Sequence, residues 1–452
     1  MILEEIVEAG LGQGVAVVLG EKATSLNFRV ANNTVTTNGR EESTSAGMVA
    51  IEGSRVGVQA GDVLDRDQVE ELGRQALAQA QASPEAPDFM GLLGPDEAAS
   101  PDPGLDRTAP EALPRDLEPL LGPVGEVLQQ SRSAGLRMFG YVQATASQER
   151  LGTSTGVQLE GRRQSASLSL TLKTQDLTRS VWTGAIARRL GDLDPAALYR
   201  RLAGRLAWTE HRVELPAGHY QVLLEPSATA DMIVRLLWDM HARGADEGRT
   251  VFAGKTGPRV GEQMYAPSVT LASDPRDPEM TVPGFVHCLS SSEYASVFDN
   301  GMAVPAAVWV DQGVQQDLIC PRRWAQDHGH VVRPDVDNLT MRGTDTTLEE
   351  MIASTERALL VTSLWYIRDV DPATLLLTGL TRDGVFLIER GEVVGAVNNF
   401  RFNESPVGAL QRTVEIGRPE IAYSREIGDA AFIKAPPIRV EDFFMSSVSD
   451  AI

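Results

Sequence analysis

The sequence predicts an α+β protein of two domains, and three observations carry that expectation. Residues 14–63 alternate short β-branched or apolar runs with turn residues (GVAVVLG, SLNFRVANNTVTTNG, SAGMVAIEGSRVGVQAG), the pattern of successive antiparallel strands. Thr374–Pro406 repeats the pattern: TLLLTGL ends at Gly379 and VFLIERGEVVGAV holds two more runs, so turns at Asp383-Gly384 and Arg390-Gly391 predict a β-meander. Between these regions, apolar residues recur at helical spacing.

In chain order, the first strand series leads into a helix that Asp65 caps with Gln68 three residues on, its apolar stripe being Val69, Leu72, Ala76, Leu77 and Ala80. From Ser83 to about Pro114 the composition shifts to Pro, Asp, Ala and Gly, which predicts a surface excursion or linker over 83–114. A periodic piece near 115–134 reads as a helix, the alternating RMFGYVQATASQERLGTSTGVQLEGRRQSASLSLTLKTQ as two strands, and Asp194–Trp208 as a second helix. Pro216 and Gly218 then break the chain before a buried strand, Tyr220–Leu224. The boundary falls there, giving an N-terminal strand-and-helix domain, 1–213, and a β-rich C-terminal domain, 214–452. In the helix after Pro226, Ile233, Leu237 and His241 lie four residues apart, which puts His241 on or beside the buried stripe. Trp365 and Tyr366 read as core or interface residues.

Composition limits the functions open to the chain. Its 452 residues suffice for two or three domains with cores of their own, and 42 % apolar with 23 % charged residues is ordinary for a soluble protein. No apolar run reaches the ~18 residues of a membrane helix. The opening MILEEIVEAGLGQG is acidic where a secretory signal is basic, so cytoplasmic residence is expected. A formal charge of −21 repels phosphate backbones and argues against a nucleic-acid partner. Two cysteines, Cys288 and Cys320, are too few for a disulfide framework and fit reduced thiols.

Metal-ligand residue types recur at His287-Cys288, Cys320 and His328-Gly329-His330. A His-x-His pair on a strand would point both rings to one face, but the spacing matches no zinc ribbon or finger, and QDHGH reads as a loop. Ser290, Ser291 and Ser292 lack a G-x-S-x-G elbow, and GLGQG lacks a phosphate-loop Lys. Glu41-Glu42 and Glu349-Glu350 read as surface charge, because adjacent helix residues face different ways.

Four stretches resemble the TldD/PmbA family of zinc metallopeptidases: Leu215–Ile233, Thr250–Gly261, Thr374–Pro406 and Ala435–Phe444. Together they are spread from end to end of the C-terminal half; the N-terminal half matches more loosely, through SRVGVQAGDVLD and its helix. In the family's active branch a His-Glu-x-x-x-His helix supplies two imidazole ligands and the carboxylate that activates the metal-bound water, and a Cys in a Gly-rich segment near the C-terminus supplies a third ligand. Neither motif occurs here. At the same spacing the chain reads His241-Ala242-Arg243-Gly244-Ala245-Asp246, so Ala242 replaces the base and Asp246 the second imidazole; the C-terminal segment reads REIGDAAFIKAPPIRV. The resemblance therefore implies the TldE/PmbA-like branch, a catalytically silent subunit with no cofactor of its own. Its partner would be a TldD-like subunit holding zinc, in a complex that cleaves unfolded peptides, leader peptides or small antitoxin-like proteins. It also implies a peptide groove in the β-rich domain, with Asn398, Asn399, Arg401 and Asn403 as candidates for the groove or the subunit interface. Turn capping and surface hydrogen bonding is the plainer role for each of the four. Two other readings stay open: a metallopeptidase with a site of its own, drawn from His241, Asp246, His287, Cys288, His328 and His330, and a homo-oligomeric peptide-binding protein.

Overall fold

The computed structural model describes residues 1–100 and 118–449, so the later part of the Pro-rich stretch, from 101, and the first residues of the helical piece near 115 lie outside the described residues. Six strands form one antiparallel sheet: β1 (Val17–Ala31), β2 (Thr34–Glu52), β3 (Arg55–Asp62), β4 (Arg137–Thr153), β5 (Gln158–Lys173) and β6 (Ser180–Ala187), in the order β3-β2-β1-β4-β5-β6. The runs over residues 17–31 are a single strand. It pairs with β2 from Val17↔Val49 to Ala31↔Thr34, and the connecting Asn32-Asn33 takes left-handed backbone at both residues, which Asn tolerates better than most side chains.

Helices Leu3–Gly12 and Arg66–Ala82 cover one end of this sheet, where Ile6, Val7, Val69 and Ala76 share a core with Val18 and Met48. Asp65 caps the second of them, its Oδ1 accepting from the Gln68 amide at 3.0 Å. The described part of the Pro-rich stretch is packed rather than free: Met90 and Leu92 sit on the core that joins Val17 and Val49 to Phe285 and Phe298, and Phe89 meets Phe298 edge-on at 5.4 Å.

Two further sheets enclose the helix Pro226–Asp239. One is ten-stranded and mixed, running Leu364–Asp371, Leu376–Thr381, Phe400–Glu404, Ile438–Val448, Gly218–Leu224, Arg357–Val361, Val385–Glu389, Glu392–Val397 and Arg212–Val213, with Thr413–Ile416 paired to Ile438–Val448 off that path. The other is six-stranded and ends on Asn338–Met341, Gly428–Ala435 and Glu420–Ser424. Ile233, Leu236 and Leu237 lie in one core with Val222 and Phe402 of the first and Leu271 and Ile433 of the second, each such burial contributing roughly 1.5–3 kcal/mol. The two halves of the chain also share a core, because Leu202 and Leu206 of the helix Pro195–Trp208 pack with Leu170 on one side and Leu223, Leu360 and Phe386 on the other.

The β-meander is corrected by the strand order. Val385–Glu389 and Glu392–Val397 do form a hairpin through Arg390-Gly391, but Leu376–Thr381 and Val385–Glu389 are separated by four other strands. Asp383-Gly384 is thus a crossover turn. Its groups are spent on other elements: the Asp383 carbonyl accepts from the Trp182 amide and its carboxylate from Ser180 and Arg425. Gly384 is required there, since a Cβ would fall 2.0 Å from the Thr362 hydroxyl. Among the described residues no helix is long and apolar enough to cross a membrane.

Candidate functional site

The helix Pro226–Asp239 begins with Pro at its first turn, directly after Glu225, and stops at Met240 (φ −85°, ψ 61°). The chain then turns extended and bridges to Ile319, with the Ile319 amide donating to the Met240 carbonyl and the Ala242 amide to the Ile319 carbonyl. His241 therefore leaves the stripe of Ile233 and Leu237, contrary to the helical spacing. It caps the next short helix, Ala242–Asp246, its Nδ1 accepting from the Gly244 amide at 3.1 Å while its ring meets Tyr294 edge-on at 5.0 Å. Burial pushes the His241 pKa down, which suits an imidazole nitrogen acting as an acceptor.

Among the other metal-type residues, the structure brings Asp246 and His330 together, with His328 beside them. Asp246 accepts from Trp324 Nε1 and pairs with His330 Nε2, each at 2.7 Å, and His328 stacks on Trp324 at 3.9 Å. His287 Nε2 lies 3.3 Å from Glu149 of β4. Cys288 and Cys320 are free thiols, each pushed up to about 12 by burial, which removes thiolate character at neutral pH. Among the described residues no three His, Cys, Asp or Glu side chains converge as a metal site. Ala242 is buried.

Two of the four groove candidates come together. Asn398 and Asn399 line a cavity of about 750 Å³ whose other walls include Arg179, Arg212, Gly384 and Val448. Asn398 is 4 % exposed, and its Oδ1 accepts from the Leu215 amide at 2.8 Å. Arg401 and Asn403 stand farther along Phe400–Glu404, next to Thr378 (3.4 Å) and Ser446 (3.3 Å), and do not line that cavity.

The main constellation was missed in the sequence. Asp231, Arg235 and Asp239 occupy i, i+4 and i+8 of the helix and so share one face. Against that face lie the outermost strand of the ten-stranded sheet, Leu364–Asp371, and the turn after Glu420–Ser424, which belongs to the C-terminal segment REIGDAAFIKAPPIRV. Asp231, fully buried, accepts from Ser424 Oγ (2.6 Å), the Glu426 amide (3.3 Å) and the Leu364 amide (3.3 Å); burial pushes it up to about 7. Arg235 donates to the Ile367 carbonyl (2.8 Å) and to Glu426 (3.4 Å), and its guanidinium lies 5.1 Å from the Trp238 ring centre. Asp239 is pushed up to about 6 by burial and then by Asp369. Trp238 is 44 % exposed, and on the strand beside Ile367 the 52 % exposed Tyr366 has Arg368 lying over it at 4.1 Å. The only signal for this site in the sequence was three charges at helical spacing inside the otherwise apolar ATADMIVRLLWD. A guanidinium at the centre of the face does not fit a bound cation.

In this fold a helix and a C-terminal segment meet between two sheets. Residues 217–447 match the family described as the PmbA/TldA metallopeptidase C-terminal domain, and the chain belongs to the TldD/PmbA family. Its whole fold is similar to TldE from Thermococcus kodakarensis (TM-score 0.80, 18 % identity, 98 % of this chain and 99 % of that one). It is also similar to a protein from Thermotoga maritima named as a proposed modulator of a DNA gyrase (TM-score 0.78, 16 % identity, 98 % of each chain). A proposed DNA gyrase modulator from Bacteroides thetaiotaomicron gives a TM-score of 0.75 at 14 % identity, over 99 % of this chain and 98 % of that one. No curated protein matches the chain in sequence.

Proposed function

We propose that this chain is the non-catalytic, TldE/PmbA-like subunit of a TldD/TldE-type zinc peptidase complex acting on unfolded peptides, leader peptides or small antitoxin-like proteins. The observation that carries the reading is what fills the meeting place of the helix and the C-terminal segment: Arg235 paired with Glu426, and Asp231 bonded to Ser424. By the resemblance, the metal-bearing branch carries its ligands at the positions of His241 and Asp246, directly after this helix, and in the C-terminal segment; here the helix and that segment are held to each other by an ion pair and a carboxylate–hydroxyl bond. Without a His-Glu-x-x-x-His sequence, the chain also lacks the general base, a group worth roughly 10²–10⁴ in rate. Zinc and the hydrolytic step would belong to the TldD-like partner, while this chain would complete the enclosure and shape peptide entry, its charge of −21 favouring basic or neutral peptides.

Metal analysis and a peptide-cleavage assay on the chain alone, and on the chain co-expressed with a TldD-like neighbour, test the proposal. Zinc and cleavage are expected only in the co-expressed sample. About one zinc per chain with cleavage by the isolated protein would overturn it.

A further inference from the structure

The face of Asp231, Arg235 and Asp239 is unevenly satisfied. Asp231 is saturated, whereas Arg235 Nε and Asp239 Oδ2, both shut from solvent, have no hydrogen-bond partner among the described residues. One is a donor and the other an acceptor, and they stand one helical turn apart. Leaving either unpaired in a buried position is costly, so their joint persistence asks for a group that accepts from one and donates to the other. In an extended chain the C=O and N–H of a single residue point to the same side and offer that combination.

We infer that the face carrying Arg235 and Asp239 binds the main chain of an extended peptide, a peptide C=O accepting from Arg235 Nε and the N–H of the same residue donating to Asp239 Oδ2. The choice of ligand rests on the reading of the chain as a peptide-handling subunit; the donor–acceptor pair does not. Main-chain recognition fits a subunit that must take unrelated sequences, because every residue but Pro presents the same two groups. The exposed ring of Trp238 lies at the position and offers an apolar face to the peptide's side chains. The Trp238 ring covers the Arg235 guanidinium. A peptide reaching Nε must displace it, so the indole reports occupancy.

The test uses the full chain without a partner and a fluorescein-labelled, unstructured peptide of Gly, Ser, Val and Lys, followed by anisotropy and by tryptophan fluorescence. Saturable binding is expected, with a change in indole emission that Trp238→Phe abolishes. Asp239→Ala, and separately N-methylation of alternate peptide residues with the protein unchanged, should each weaken binding about tenfold or more, the effect of one lost hydrogen bond to a charged group. The N-methylated peptide keeps the test free of any folding defect in the variant. No saturable binding, or equal binding by the wild type and Asp239→Ala, would sink the inference. Either result leaves the co-expression experiment untouched, since that one reads zinc and cleavage.

Discussion

The two ends of the helix Pro226–Asp239 solve the same electrostatic problem in opposite ways. At the N-terminal end, Glu225 and Arg205 form an ion pair 5 % exposed on both sides, and Arg205 also donates to the Trp182 carbonyl at 3.3 Å. At the C-terminal end, Arg235 bonds to the Ile367 carbonyl and Glu426 under the exposed Trp238 ring, while its Nε and the neighbouring Asp239 Oδ2 have no hydrogen-bond partner among the described residues. A completed pair in a dry place is a clamp: Arg205 comes from the N-terminal half and Glu225 from the C-terminal half, so the bond fixes the two halves to each other. A donor and an acceptor left unpaired beneath an exposed ring keep hydrogen-bonding capacity for something else.

Substitution should separate the clamp from the unpaired donor and acceptor. Breaking the clamp from one side carries the largest expected effect. Glu225→Ala strands a buried guanidinium and should lower stability by about 3–5 kcal/mol, whereas replacing both partners with apolar residues of similar size should recover most of it. Urea titration of the two variants measures this; equal losses would mean the pair is not the clamp described. Asp231 comes next, as the saturated carboxylate between the two ends. Its folded pKa, about 7, lies above the ordinary 3.8, so the folded state holds the proton more tightly and stability from this group grows as pH falls through 7 toward 4. Over that window the gain is up to ~4 kcal/mol, and Asp231→Asn should flatten it. Thermal melts at several pH values check the slope.

At the open end the effects shrink and then reverse. Glu426→Gln weakens the bond to Arg235 but keeps its shape, and should cost about 1–2 kcal/mol. Asp239→Ala removes an acceptor that has no partner, so the free protein should gain up to about 1 kcal/mol, seen as a higher melting temperature. A clear loss on Asp239→Ala would erase the contrast between the two ends.

Much of the fold could be read from local chemistry. The Asp65 cap, the β-branched runs of the N-terminal sheet and the Arg390-Gly391 hairpin all depend on residues within a few positions of one another, and all are present. The site was less legible. Ile233, Leu237 and His241 have helical spacing, yet no Gly or Pro marks the stop at Met240; the helix ends because Met240 and Ala242 bond to Ile319, far away in sequence. Asp383-Gly384 has the composition of a hairpin turn, and its partners on Trp182, Ser180 and Arg425 make it a crossover instead. Asp246 looks like an ordinary surface carboxylate until Trp324 and His330 are folded onto it.

By itself the sequence determined the α+β class, the family resemblance and the missing zinc motif, because periodicity, turn chemistry and motif spacing are properties of neighbouring residues. Only the tertiary structure decided what stands where the helix and the C-terminal segment meet. Arg235 and Glu426 are 191 positions apart, and a pairing over that distance is set by how two sheets close on one helix, which no local pattern encodes.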